Sequence, residues 1–156
     1  MSARNNDDRR IAEMYETIES IQRRMREDLT RDKVLRPQNM QEERDGLALA
    51  YSLQRVAEEV TGLSYEVIIK YDHIPWDSIR GMRNILSHDY PGLNWDQIWD
   101  TAENDLPVVR EFCLAYAKDR GTTIEGLIEE NHSVLRANTS RAPRKSVSDR
   151  DQPGLG

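Results

Sequence analysis

The stretch that decides the fold is DDRRIAEMYETIESIQRRMREDLTRD, residues 7–32. Its apolar residues recur at steps of three and four, and arginines and glutamates fill most of the remaining positions. Because an α-helix has about 3.6 residues per turn, this spacing places the apolar side chains on one face. The pattern predicts a long amphipathic helix over residues 7–32, whose core-facing stripe is Ile11, Met14, Tyr15, Ile18, Ile21, Met25 and Leu29.

Further helices are predicted along the chain up to Gly121. A second helix fits residues 38–61, with Gly62 just past its C-terminus. Its apolar stripe is wide enough to serve both a core and a partner subunit. This stripe comprises Leu47, Leu49, Ala50, Tyr51, Leu53, Val56, Ala57 and Val60. After the second helix, the segment LSYEVIIKYDHI, residues 63–74, predicts a short helix and a connector.

Two prolines shape the second half of the prediction. A helix is expected over residues 75–89, burying Ile79, Met82 and Leu86, and Pro91 should stop it near residue 90. The last long helix should start at an Asn94 cap and run to residue 121. Pro107 lies inside that helix and removes one backbone hydrogen bond, so a kink is expected near residue 104.

Composition agrees with an all-α protein of one ordinary domain. The chain has 156 residues, 32% charged and 37% hydrophobic, with a formal net charge of −6. That charge excludes a wholly basic nucleic-acid-binding surface but allows a local basic site. No apolar run is long enough to span a membrane, and a cytoplasmic protein is expected. Cys113, the single cysteine, is expected to be a buried hydrophobe.

The predicted organisation is a helical domain over residues 1–121, followed by residues 122–156. That second part should comprise a weak helix, TIEGLIEENHSVLR, and a basic, disordered tail from residue 137. The expected domain architecture is an antiparallel bundle of four to five helices.

The candidate chemistry lies in GMRNILSHDYPG, residues 81–92. On an ideal helix Arg83 and His88 are about 140° apart, so they share a face only if the helix ends between or near them. A histidine can exchange protons near neutral pH, and an arginine binds phosphate oxygens through two parallel hydrogen bonds. RNA suits such a pair because its 2′-OH can attack the neighbouring phosphate without a metal. Taken alone, an arginine and a histidine on one helix are more often structural.

The run IPWDSIRGMRNILSHDYPGLNWDQIWDTAENDLPVVREFC, residues 74–113, resembles the HepT-like toxin family of the HEPN superfamily. The resemblance rests on the IPW helix entry, the GMRN segment, and the "IW" pair and "DLP" triplet of the last helix. It also rests on an arginine and a histidine separated by four residues, with a tyrosine two positions after the histidine. The first 73 residues resemble the family only as two amphipathic helices.

The resemblance implies a metal-independent endoribonuclease toxin that acts as a homodimer and needs no cofactor. Arg83 and His88 would be catalytic, with the arginine clamping phosphate and the histidine acting as general acid and base. Asn84, the polar residue after the arginine, would support the site or form a local hydrogen bond. Arg80, three residues before Arg83 on one helical face, could add phosphate affinity or pair with Asp77. The expected partners are an RNA substrate and a cognate nucleotidyltransferase antitoxin of the MNT fold, similar to MntA.

The same resemblance makes Tyr90 the residue to which the antitoxin transfers AMP. This sequence departs from the family pattern after that tyrosine, where Pro91 and Gly92 stand in place of a common aromatic residue. The alternative interpretation is a non-catalytic HEPN subunit that binds RNA or a nucleotide, or that completes a complex with the transferase. His88 would then be a structural or ligand-binding residue.

Overall fold

The computed structural model describes residues 3–87 and 92–141, and within these ranges the chain is all-α, as predicted. None of the helices in these two ranges is long and apolar enough to cross a membrane. The chain also contains a 3-10 turn, Ile85–Ser87, and a π-helical segment, Thr101–Asp105. In order, the α-helices are α1 (Ala3–Glu27), α2 (Arg31–Leu35), α3 (Met40–Thr61), α4 (Tyr65–Lys70), α5 (Trp76–Arg80), α6 (Trp95–Asp100), α7 (Leu106–Asp119) and α8 (Ile124–Arg141).

Helix α1 is the centre of the bundle, since it packs against α3, α7 and α8. Most of its apolar stripe is buried as predicted, with Ile11, Met14 and Ile18 fully inaccessible to solvent, whereas Tyr15 and Met25 are only partly buried. Helices α6 and α7 join through the π-helical segment into one long unit. Within the described ranges, α1, α3, the α6–α7 unit and α8 therefore form the bundle, and the shorter helices connect or flank them.

The end of α1 differs from the prediction of one helix over residues 7–32. The backbone amides of Asp28 and Leu29 both donate to the carbonyl of Arg24, and the helix ends at Glu27. Thr30 then starts α2, because its hydroxyl accepts a hydrogen bond from the Lys33 amide. The apolar period in the sequence continues across this break, because Leu29 is buried in the structure, as it would be in one continuous helix.

Helix α3 starts at Met40, two residues later than predicted. The Asn39 side chain accepts the Glu42 amide at 2.9 Å, and the Glu42 carboxylate accepts the Gln38 amide at 3.2 Å. At its other end Gly62 has a right-handed φ of −88°, so it is the C-terminal cap rather than a left-handed residue beyond it. A Cβ here would lie 2.1 Å from the Arg10 guanidinium carbon, so glycine makes room for that side chain.

The α6–α7 unit confirms the predicted cap and distortion. The Asn94 side chain accepts the Gln97 amide at 3.1 Å. The π-helical segment occupies the turn before Pro107, where the missing proline N–H leaves a carbonyl without its usual helical partner. The expected kink near Asn104 is thus a local change to the wider π geometry. The chain leaves α7 at Gly121, which has a φ of 75°.

Helix α8 is longer than the weak helix predicted after Gly121. Ile124 and Leu127 belong to the common core, and the Asn131 side chain donates to Glu13 of α1 at 3.2 Å. The helix includes residues 137–141, so the prediction of disorder from residue 137 is wrong for these positions. The rest of the predicted tail, 142–156, lies outside the described residues.

Candidate active site

The segment that carries the predicted site is not the helix expected over residues 75–89. Helix α5 ends at Arg80, and the chain continues through a turn into the 3-10 turn Ile85–Ser87. The buried residues Ile79, Met82 and Ile85 recur every third position, which matches three residues per turn rather than 3.6. Leu86, predicted to be buried, is 37% exposed. Packing on α3 therefore favours the tighter geometry.

Local backbone hydrogen bonds shape this segment up to Ile85. The amides of Met82, Arg83 and Ile85 donate to carbonyls three residues earlier, at 3.0 to 3.3 Å. The next amide departs from the series: Leu86 N–H donates to the side chain of Gln54 on α3 at 3.1 Å. A side chain of another helix thus takes over at the last turn before His88.

Arg83 lies on the exposed side of this turn. Its guanidinium makes no hydrogen bond or ion pair with any residue in 3–87 or 92–141. Its backbone is held by the bond to Arg80 and by the buried neighbours on either side. A cationic fork on a fixed backbone, with its donors open to solvent, can bind an anionic oxygen pair.

The other predicted site residues differ from Arg83 in their contacts or lie outside the described residues. Arg80 forms a 3.5 Å ion pair with Asp77, so the alternative pairing is the one adopted, although both side chains are exposed and the pair is weak. Asn84 is exposed and lines a cavity of about 210 Å³ together with Gly92 and Asn94. His88 and Tyr90 lie outside the described residues, so their roles stay predictions.

An aromatic cluster anchors the start of α5 and thereby the segment that follows it. The Trp76 and Phe112 rings meet edge to face with centroids 5.0 Å apart, and the Trp76 indole donates to the Tyr71 carbonyl at 3.0 Å. Trp99 is also buried and donates to Glu103 at 2.8 Å. Trp76 and Trp99 therefore pack in the core.

Other chemically active side chains lie away from this segment. Cys113 is fully buried, and burial raises the pKa of its thiol, as expected for a structural cysteine. His132 is 2.6 Å from Glu16, whereas His73 is exposed. Across residues 3–87 and 92–141, no group of three His, Cys, Asp or Glu side chains could hold a metal ion.

Gln54 was missed by the sequence interpretation. The available signal was a polar residue between Tyr51 and the buried Val56 on a helix with a wide apolar stripe. Nothing in that pattern indicates which backbone amide a half-buried glutamine will bind. The contact with Leu86 spans 32 positions of sequence and depends on how α3 meets the turn.

The sequence of the chain matches a known family model. The model of the family described as ribonuclease HepT-like matches residues 11–116. The chain belongs to this family. The match contains Arg80, Arg83, Asn84, His88 and Tyr90, and it extends the resemblance to helices α1 and α3, which the sequence alone supported only weakly.

Curated relatives give the same family assignment. The chain is 34% identical over 80 residues to Putative RNase MJ0127 of Methanocaldococcus jannaschii, covering 51% of this chain and 62% of that protein. It is 38% identical over 60 residues to Putative RNase TTE0752 of Caldanaerobacter subterraneus, covering 38% and 54%. The matches thus span between about half and two thirds of these relatives. No solved structure matches the chain.

Proposed function

We propose that this protein is an endoribonuclease that cleaves RNA without a metal ion, with Arg83 and His88 as its catalytic residues. The observation that carries the proposal is the exposed Arg83 guanidinium, which has no partner among residues 3–87 and 92–141 and lies on a core-anchored turn within the matched family region. The names of the relatives as RNases support the same reaction class. Arg80 and Asn84 flank Arg83 and are proposed to support substrate binding.

The reaction uses the nucleophile that RNA itself supplies. The 2′-OH attacks the adjacent phosphorus, His88 accepts its proton, and the 5′-oxygen leaves with a proton from an imidazolium. Arg83 stabilises the charge that grows on the phosphoryl oxygens. The protein carries a net charge of −6, so most of its surface repels RNA and binding depends on this local site.

A second copy of the chain is proposed to complete the site. Leu47 and Tyr51 lie on one face of α3, four residues apart, and are 38% and 54% exposed. Gln54 follows on the same face and contacts the backbone of Leu86, which is itself 37% exposed. We name these apolar residues, Leu47, Tyr51 and Leu86, the α3 face. A two-fold axis at the α3 face would bring two Arg83-bearing turns together and offer one histidine as base and one as acid.

The proposed physiological setting is a cytoplasmic toxin–antitoxin pair. A nucleotidyltransferase of the MNT fold would transfer AMP to Tyr90, two residues after His88. The added nucleotide brings negative charge and bulk to the position where substrate phosphate binds, so cleavage stops. Intact mass after co-expression with the transferase tests this step. Neutralisation without added mass on Tyr90 would reject AMP transfer as the mechanism.

The catalytic proposal is tested with purified protein, free of any partner, incubated with single-stranded RNA in EDTA. The parent protein should cleave, and Arg83→Ala and His88→Ala should each lose activity. Arg136→Ala is a matched control, because Arg136 is an exposed arginine on α8 whose side-chain bond is to Ser133 on the same helix. Cleavage that persists in Arg83→Ala or His88→Ala refutes the site. RNA binding without cleavage by the parent favours the non-catalytic HEPN subunit.

A further inference from the structure

The hydrogen bond from Leu86 N–H to Gln54 links α3 to the turn that carries the proposed catalytic residues. Leu86 lies three residues after Arg83 and two before His88. Its amide does not donate to a backbone carbonyl of its own turn, although the amides of Met82, Arg83 and Ile85 do. A side chain of another helix therefore holds the backbone at Leu86.

Gln54 is suited to this role by its own surroundings. Its side chain is half-buried on α3, and its Nε2 group lies 3.4 Å from Glu58 Oε1, one helical turn further along. That contact turns the amide so that Oε1 faces Leu86. A hydrogen bond that fixes backbone direction matters for catalysis, since a displacement of about 1 Å in a catalytic group can reduce a rate by about 100-fold.

We infer that Gln54 is a positioning residue for RNA cleavage, because it holds the Leu86 amide and thereby fixes the end of the turn that carries Arg83, two residues before His88 in the sequence. This inference rests on the proposed function. Gln54 acts through the backbone and does not itself need to touch the RNA. Its loss should slow the chemical step more than it weakens substrate binding.

The test compares Gln54→Met with Gln41→Met. Methionine keeps the length of the glutamine side chain but lacks the carbonyl acceptor. Gln41 is an exposed glutamine on the same helix, and its side chain donates a hydrogen bond to Asp45 at 3.1 Å. With single-stranded RNA in EDTA, Gln54→Met should lower kcat about 3- to 10-fold, the equivalent of one hydrogen bond, with little change in KM. Gln41→Met should match the parent protein.

Gln54→Glu combined with Glu58→Gln provides a rescue experiment. The second change is needed because the Glu58 carboxylate lies 3.4 Å from the Gln54 side chain and would repel a new carboxylate there. In the double variant the new carboxylate still accepts the Leu86 amide, so kcat should recover towards the parent value. A kcat of the double variant as low as that of Gln54→Met, with both proteins folded, overturns the inference.

Amide hydrogen exchange separates this inference from the proposed function. Leu86 N–H should exchange several-fold faster in Gln54→Met than in the parent or in Gln41→Met, with equal thermal midpoints. A parent protein that cleaves no RNA would refute the proposed function, and the exchange rates would still decide whether Gln54 holds the segment. Unchanged Leu86 exchange, or an unchanged kcat in Gln54→Met, overturns the positioning role.

Discussion

Replacing Tyr51 with serine tests the proposed dimer most directly. Tyrosine and serine have similar helix propensities, so the fold of one protomer should change little. An aromatic side chain buries roughly 200 Å² when fully covered, and Tyr51 is 54% exposed, which leaves about 100 Å² for a partner to cover. At about 25 cal/mol per Å², this area stabilises association by about 2.5 kcal/mol.

The two-fold axis doubles the effect, because the same substitution is present in both protomers. The sum of about 5 kcal/mol is an upper bound, since ordering of side chains and imperfect packing reduce the gain from buried area. We expect the dimer dissociation constant to rise at least 100-fold, which corresponds to about 2.8 kcal/mol. Sedimentation equilibrium over a range of protein concentrations measures this constant.

Tyr65→Ser is the matched control. Tyr65 is 77% exposed on α4, more than Tyr51, and has no place in the α3 face. The reasoning is refuted if Tyr51→Ser and the parent have the same dissociation constant, or if Tyr65→Ser weakens the dimer equally. RNA cleavage should fall in Tyr51→Ser at dilute protein and recover as concentration rises, because the proposed site needs both copies.

Three further predictions concern stability. Asp8→Asn should lower the free energy of unfolding by about 2 kcal/mol in urea titrations, because the Asp8 carboxylate accepts two bonds from Arg120, at 3.0 and 2.7 Å, and one from Tyr116 at 2.5 Å. Desolvation, together with hydrogen bonds to carboxylates, raises the pKa of Tyr71 and Tyr116 above its ordinary value near 10. The folded state thus favours the protonated phenols, so the stability that they contribute is present below pH 10 and should decline above it. In thermal melts, the double variant Tyr71→Phe/Tyr116→Phe should show a smaller decline of the melting temperature at high pH. Cys113 should resist alkylation at pH 8 until the protein unfolds, because burial raises its pKa; rapid labelling of native protein would contradict the packing.

The sequence predicted the helices correctly wherever a long apolar stripe met a strong signal at its end. Asn94 and Pro107 each act through the backbone of their own turn, so the cap and the distortion could be inferred from local chemistry. The end of α1 was missed because Leu29 continues the apolar period across the break. The threonine cap that follows competes with helix continuation, and periodicity does not measure that competition.

The residues of the proposed site come from the sequence, and the helix predicted to carry them is wrong. A helix over residues 75–89 follows from average helical spacing, which places Ile79, Met82 and Leu86 on one face. The fold instead buries Ile85 against α3 and exposes Leu86, and this choice depends on the shape of the surface below. A difference of one residue in a buried triplet changes the turn from α to 3-10. Packing of this segment against α3, which the local sequence does not encode, determines whether the turn is α-helical or 3-10.

One helix connects the proposed interface with the proposed chemistry, and this has a physical consequence. The Gln54–Leu86 hydrogen bond lies next to the α3 face and is open to solvent in a single protomer, where water competes for both groups. A second copy covering Tyr51 and Leu86 would exclude that water and strengthen the bond, since hydrogen bonds gain strength at low local dielectric. Association would then strengthen the hold on the Leu86 amide at the same time as it supplies the second histidine. Under this arrangement an isolated protomer lacks the partner's proton donor and has a weaker Gln54–Leu86 hydrogen bond, so its cleavage activity should be low for both reasons.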